Sequence, residues 1–161
     1  MPSKTATFNL RTEIALKISG DLNELKGVRE AVRAFLASTK HIDINEDENA
    51  GLDSIAQNRI ILAIDEAVAN IIEHGFADPS SLAAAQISLS MRKEPKLVEF
   101  EIRDNGMPFN PLEHRPDTEF YYEEGLENGV GLIALTTLDS AYRRSEEQNI
   151  LTLKREWGNK K

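Results

Sequence analysis

One predicted helix, residues 62–75, limits the folds open to this chain because it carries polar side chains inside an apolar run. Glu66 and Asn70 stand four residues apart, so both project from the same helical face, one turn apart. A carboxylate and an amide are costly to bury without partners. Either this face is a solvated edge of an amphipathic helix, or a polar ligand lies against it. The apolar residues around the pair favour the ligand.

Composition indicates one domain spanning 1–161. Hydrophobic residues make up 40% of the 161 residues, which is enough for a compact core. The formal charge of −8 at pH 7 argues against direct binding of nucleic acid. The chain has no cysteine, which excludes thiolate metal sites and cysteine catalysis. No signal-like segment is visible and no apolar run approaches the roughly 18 residues of a membrane helix, so we expect a cytoplasmic protein without membrane contact.

The periodicity of apolar residues predicts an α+β fold. Alternation predicts strands at 13–18, 87–92, 98–103, 140–143 and 150–155. Helical spacing predicts helices at 22–39, 53–74 and 129–138. Because these elements do not alternate as βαβ units, we expect a two-layer sandwich: a mixed, mostly antiparallel sheet with helices on one face. The segment 105–128 shows no period, and such a stretch in a compact domain is usually functional or mobile.

A second candidate site follows the predicted strand at 98–103. Asp104 ends this strand and Gly106 comes two residues later. An ordinary strand-exit turn is one interpretation, since Asp, Asn and Gly all form turns. The functional interpretation is that the carboxylate accepts a hydrogen bond from the amino group of adenine. Gly106 would then remove the Cβ that keeps the backbone away from the ring.

A third segment places Gly129 and Gly131 at the start of the last predicted helix. A flexible hinge with a helix cap is one interpretation. The other is a phosphate site, because open backbone amides at a helix N-terminus favour anions. The segment is not a P-loop, which needs Gly-Lys-Ser/Thr, and not a Rossmann fingerprint, which follows a strand.

Together the three segments resemble the N, G1 and G2 boxes of the GHKL ATPase superfamily, which includes gyrase and the histidine kinases. The matching motifs, in chain order, are Glu66-x-x-x-Asn70, Asp104-x-Gly106 and Gly129-x-Gly131-Leu132. The residues at 65–75 and 108–111 are most similar to those of bacterial anti-sigma-factor serine kinases. The resemblance covers nearly the whole chain and implies the histidine-kinase-like ATPase fold.

The resemblance implies a role for each matching residue. Asn70 would be the magnesium ligand, Glu66 the catalytic base and Asp104 the adenine-binding residue. The other residues that would line or hinge the nucleotide site are Gly106, Gly129, Val130, Gly131 and Leu132. The stretch 105–128 would be the ATP lid, in which the roles of Arg115, Tyr121 and Tyr122 stay unassigned.

The implied activity is that of an ATP- and magnesium-dependent serine/threonine-protein kinase. It would phosphorylate an anti-anti-sigma protein, bind a sigma factor and form a homodimer. The alternative is a nucleotide-binding, partner-switching module that transfers no phosphoryl group. Glu66 favours the kinase, because a pure binder does not need that carboxylate.

The chain departs from the resemblance at the entry to the last strand. Many family members have a Gly-Thr pair there, and the threonine helps to hold adenine. This chain has no such pair at 147–152. The contact is therefore either absent or made by Asn149.

Overall fold

A computed structural model describes residues 12–37, 53–94, 96–110 and 138–156. In these ranges the strands are β1 (Thr12–Ile18), β2 (Ile87–Glu94), β3 (Leu97–Asp104), β4 (Asp139–Ser145) and β5 (Gln148–Glu156). The helices are α1 (Leu25–Ala37), α2 (Ser54–His74) and the short α3 (Pro79–Ala83). A 3-10 turn, Leu22–Glu24, leads into α1.

The described strands form one five-stranded sheet in the order β1-β2-β3-β5-β4. Every pair of neighbours is antiparallel. The predicted strands and the α+β class are confirmed. The expected mixed sheet allowed for a parallel pair, and among the described strands there is none. Register aligns the end of β3 with the start of β5, so that Asp104 faces Asn149 across the ladder.

The core lies between the sheet and the helices. In β2 and β3 alternate side chains are buried, which is the pattern of a sheet with one covered face. These side chains join buried residues of α1 and α2 in one cluster. Phe35 of α1 meets Phe100 of β3 edge to face, with ring centroids 5.8 Å apart. The predicted two-layer arrangement, with helices on one face, is therefore confirmed.

Helix α2 has the ends that its sequence predicts. The Asp53 side chain accepts a hydrogen bond from the Ala56 amide at 2.8 Å, which satisfies one of the free donors of the first turn. The helix stops at Gly75, whose amide donates to the Ile71 carbonyl at 2.8 Å. Most of its apolar residues are buried, so α2 is fixed against the sheet along its whole length. This fixes the position of the polar pair it carries.

Candidate functional site

The polar pair of α2 lies on one face, as the spacing predicts. Glu66 and Asn70 are both half-buried, and Asn70 lies close enough to the Glu66 carboxylate to lower its pKa. Buried Ala67, Val68 and Ile71 surround them on the helix. The pair is thus partly withdrawn from water, and a fully solvated helix edge is not what the structure shows.

Burial and like charges act on the Glu66 carboxylate. Burial raises its pKa above the ordinary value, and the neighbouring charges of Glu73 and Asp65 raise it further. The hydrogen bond from Asn70 and the proximity of His74 oppose this rise. A carboxylate with a raised pKa is a stronger base than a free glutamate, which suits a group that must accept a proton.

The neighbouring carboxylate favours one orientation of the Asn70 amide. An ionised carboxylate only accepts hydrogen bonds, so an amide that pairs with Glu66 presents its NH₂ group to it. Its carbonyl oxygen is then left for another partner, and carbonyl oxygens are ligands that Mg²⁺ prefers. Among the described residues, no cluster of three His, Cys, Asp or Glu could hold a metal. The donor set therefore fits a magnesium ion held by one amide oxygen together with nucleotide phosphates.

Asp104 ends β3 as a buried carboxylate, with 3% of its surface exposed. Its Oδ1 accepts from the Gly106 amide and from Asn149 Nδ2, both at 2.9 Å. Burial raises the pKa of Asp104, while these two hydrogen bonds and the positive charge of Arg144 lower it. A charge-assisted acceptor placed at a strand end is what recognition of an adenine amino group needs.

The turn after Asp104 packs against the end of α2. The Met107 amide donates to the Gly75 carbonyl at 2.8 Å. A Cβ on Gly106 would lie 2.5 Å from that same oxygen. The sequence predicts a glycine here to admit a ring; the structure gives a second reason, which is the close approach of the α2 backbone. This contact joins the helix that carries Glu66 and Asn70 to the turn that carries Asp104.

Three residues of the last two strands complete the surroundings of Asp104. Asn149 is 4% exposed and contacts Asp104 directly. Its contact with adenine stays a prediction. Tyr142 and Arg144 contact Asn149 in turn. Sequence reasoning assigned no role to Tyr142 or Arg144. One sequence signal could have identified Asn149. It is a polar residue in the same alternating positions of β5 as Leu151 and Leu153, which are buried.

The remaining predicted site residues lie outside the described ranges. These are Gly129, Val130, Gly131 and Leu132, together with the part of the predicted lid from 111 to 128 that includes Arg115, Tyr121 and Tyr122. The predicted helix at 129–138 lies outside them as well, except for Leu138, which is buried in the core. Their roles stay predictions.

A separate cavity of about 640 Å³ opens at the same end of the sheet. Its lining includes Lys17, Ser88 and Arg103. Each of them is next in its strand to a residue that is buried in the core, so these three lie on the other face of the sheet. Neither Asp104 nor any residue of α2 lines it. The cavity therefore does not coincide with the candidate site.

A comparison of the whole chain with protein families gives a match over most of its length. The model of the histidine kinase-like ATPase domain matches residues 18–155, which include every site residue named above. A comparison with individual curated proteins gives no match. In the described residues, no helix is long and apolar enough to cross a membrane. The chain belongs to the histidine kinase-like ATPase domain family, and as a GHKL module it binds ATP.

Proposed function

We propose that this member of the histidine kinase-like ATPase family is a magnesium- and ATP-dependent serine/threonine-protein kinase of the anti-sigma-factor type. Its substrate would be an anti-anti-sigma protein, and phosphorylation of that substrate would free the kinase to bind a sigma factor. The observation that carries the proposal is the placement of Glu66 and Asn70 together on the half-buried face of α2. The partners, and assembly as a homodimer in the cytoplasm, rest on the resemblance of 65–75 and 108–111 to anti-sigma-factor kinases.

The two residues of the pair have different tasks in this proposal. Asn70 would donate its NH₂ group to Glu66 and would hold the metal through its carbonyl oxygen. The magnesium ion, when bound, neutralises charge on the phosphates. Glu66 lies one turn earlier on the same face, so it would face the γ-phosphate region. There it can accept a proton from an incoming serine hydroxyl.

The proposed phosphoryl transfer needs only ATP, the serine hydroxyl and the Glu66 carboxylate. The serine oxygen forms its bond to the γ-phosphorus as the bond from that phosphorus to the ADP oxygen breaks. Glu66 takes the hydroxyl proton, and ADP leaves. The raised pKa of Glu66 assists this step, because a stronger base accepts the proton more readily.

Asp104 would hold the adenine of the nucleotide whose phosphates lie near Asn70. Its Oδ1 is bound by two N–H donors, and the carboxylate lies at the end of a rigid central strand. The backbone contact between Gly75 and Met107 keeps this strand end close to the C-terminus of α2. One nucleotide lying along this join would place adenine at Asp104 and phosphates near Asn70.

The proposal is tested by phosphoryl transfer from radiolabelled ATP to a panel of small anti-anti-sigma proteins from the same genome. Wild-type protein should label one of them on serine. Glu66→Gln should reduce the rate by about 10²–10⁴-fold, the usual effect of losing a general base, with ATP affinity largely kept. Asn70→Ala should weaken magnesium-dependent ATP binding as well as the rate.

Glu30→Gln provides the matched control, because Glu30 is an exposed glutamate of α1. It should label its substrate at the wild-type rate. If wild-type protein binds ATP but labels no member of the panel, the chain is the alternative, a partner-switching module without kinase activity. If Glu66→Gln is as fast as wild type, Glu66 is not the base.

A further inference from the structure

Polar side chains from three strands meet on the covered face of the sheet. Asp104 of β3 pairs with Asn149 of β5, and Asn149 pairs with Arg144 of β4. Asp104 and Asn149 are almost fully buried, with 3% and 4% of their surfaces exposed. Buried polar groups at the centre of a sheet are costly unless each of them has a partner. The hydrogen-bond partners of these side chains therefore indicate the role of each of them.

Asn149 uses both ends of its amide. The Nδ2 group donates to Asp104 Oδ1 at 2.9 Å and to the Met107 carbonyl at 2.7 Å. The Oδ1 atom accepts from the Tyr142 hydroxyl at 2.6 Å and from Arg144 Nη1 at 3.0 Å. A flipped amide would place its oxygen against two acceptors and its NH₂ group against an arginine, which can only donate. The orientation of Asn149 is therefore unique.

With this orientation, the donors to Asp104 from the described residues all bind one of its two oxygens. Oδ1 accepts from both Asn149 and the Gly106 amide. No described residue donates to Oδ2, although the residue is 97% removed from solvent by the fold. Within the described part of the chain, this buried carboxylate thus keeps one acceptor oxygen that no donor occupies.

We propose that Asn149 is a positioning residue that makes this chain selective for purine nucleotides with an amino group at C6 over those with a 6-oxo group. The inference deepens the proposed function, since it rests on ATP binding at Asp104. An oxygen that can only accept suits the N–H donor of a 6-amino group. The same oxygen repels a 6-oxo group, which is also an acceptor.

Asn149 matters for selectivity because it holds Asp104 in the accepting state. Without its N–H donor, the buried carboxyl group gains a proton more easily and can rotate. A protonated carboxyl donates as well as accepts, so it can bind a 6-oxo group. Loss of Asn149 should therefore change the preference between the two purines, and not only the overall affinity.

The test measures dissociation constants of magnesium-ATP and magnesium-ITP by calorimetry. The two nucleotides share ribose and triphosphate and differ in the 6-substituent and in the hydrogen that hypoxanthine carries on N1. Wild-type protein should bind ATP at least about tenfold more tightly than ITP, as expected for one hydrogen bond to a charged group. Asn149→Leu, of similar volume, should lower this ratio by about tenfold.

Two further variants make the test specific. Gln148→Leu is the matched control, because Gln148 is next in the chain and lines the separate cavity, outside the hydrogen bonds of Asn149. It should keep the wild-type ratio. Tyr142→Phe removes one hydroxyl that donates to Asn149 and should lower the ratio by about threefold. It serves as the test if Asn149→Leu does not fold.

The outcomes separate this inference from the proposed function. If wild-type protein prefers ATP, and Asn149→Leu weakens both nucleotides equally, Asn149 has only a structural role and the inference is overturned while the kinase proposal stands. If Asn149→Leu is unfolded, an unchanged preference for ATP over ITP in Tyr142→Phe likewise overturns the inference. If wild-type protein binds neither nucleotide, the proposed function fails and this inference fails with it.

Discussion

Replacing Gly106 by alanine tests the contact that joins the two halves of the site. The new Cβ would lie 2.5 Å from the Gly75 carbonyl oxygen and 2.9 Å from Asp104 Oδ1, so the turn must move. Losing the Met107–Gly75 hydrogen bond costs about 1 kcal/mol. Overpacking at a backbone contact adds about 1–3 kcal/mol. We expect Gly106→Ala to lower the free energy of unfolding by about 2–4 kcal/mol and to weaken ATP binding.

Urea unfolding followed by circular dichroism measures this loss, and calorimetry measures ATP binding. Gly27→Ala is the matched control, since nothing lies within 4 Å of a Cβ built at Gly27 in α1. That change should stabilise the protein by about 0.5–1 kcal/mol, because alanine favours a helix more than glycine does. If Gly106→Ala unfolds at the same urea concentration as wild type, the close approach of the turn to α2 is wrong.

Two further predictions concern the carboxylates. Asp104→Asn should weaken ATP binding by about ten- to a hundredfold while keeping or raising the free energy of unfolding at pH 7. Because burial raises the pKa of Asp104, the folded state binds its proton more tightly, and this group lowers stability as pH rises from the unfolded pKa of about 4 through the raised value. Urea unfolding between pH 4 and 8 should show that fall in wild type and a smaller fall in the variant, which keeps the contribution of Glu66. A variant less stable than wild type at pH 7 contradicts the reasoning. Glu73→Gln removes a charge that raises the pKa of Glu66, so the acid limb of the pH–rate profile for phosphoryl transfer should move to lower pH. An unmoved limb would mean that Glu66 is not the titrating base.

The helix that carries the base could be predicted because its signals are local. Asp53 and Gly75 mark its two ends in the sequence, and both act there in the structure. The spacing of Glu66 and Asn70 fixes their common face for any α-helix. The short helix α3 was not predicted, although Asp78 before Pro79 is a helix-start signal, and Asp78 does cap it.

The surroundings of Asp104 could not be predicted in the same way, because their partners are distant in the chain. Nothing local shows that Asn149 faces Asp104 or that Arg144 faces Asn149, since both pairings depend on strand register. The packing of Gly106 on Gly75 depends on where α2 ends relative to β3. The polar residue at an inward position of β5 indicated that something unusual was there, but not what it contacts.

The two halves of the site are joined through backbone, and this determines how substitutions should act. A side-chain change at Glu66 touches neither partner of the Gly75–Met107 hydrogen bond and should alter proton transfer. Asn149→Leu removes a donor to the Met107 carbonyl but no backbone group, and should alter purine preference. A change at Gly106 moves the join itself and should alter both together. Double variants then distinguish the two cases: Glu66→Gln and Asn149→Leu should act independently, because their side chains share no partner among the described contacts. Coupling between them would instead mean that the bound nucleotide transmits a change at one end of the site to the other.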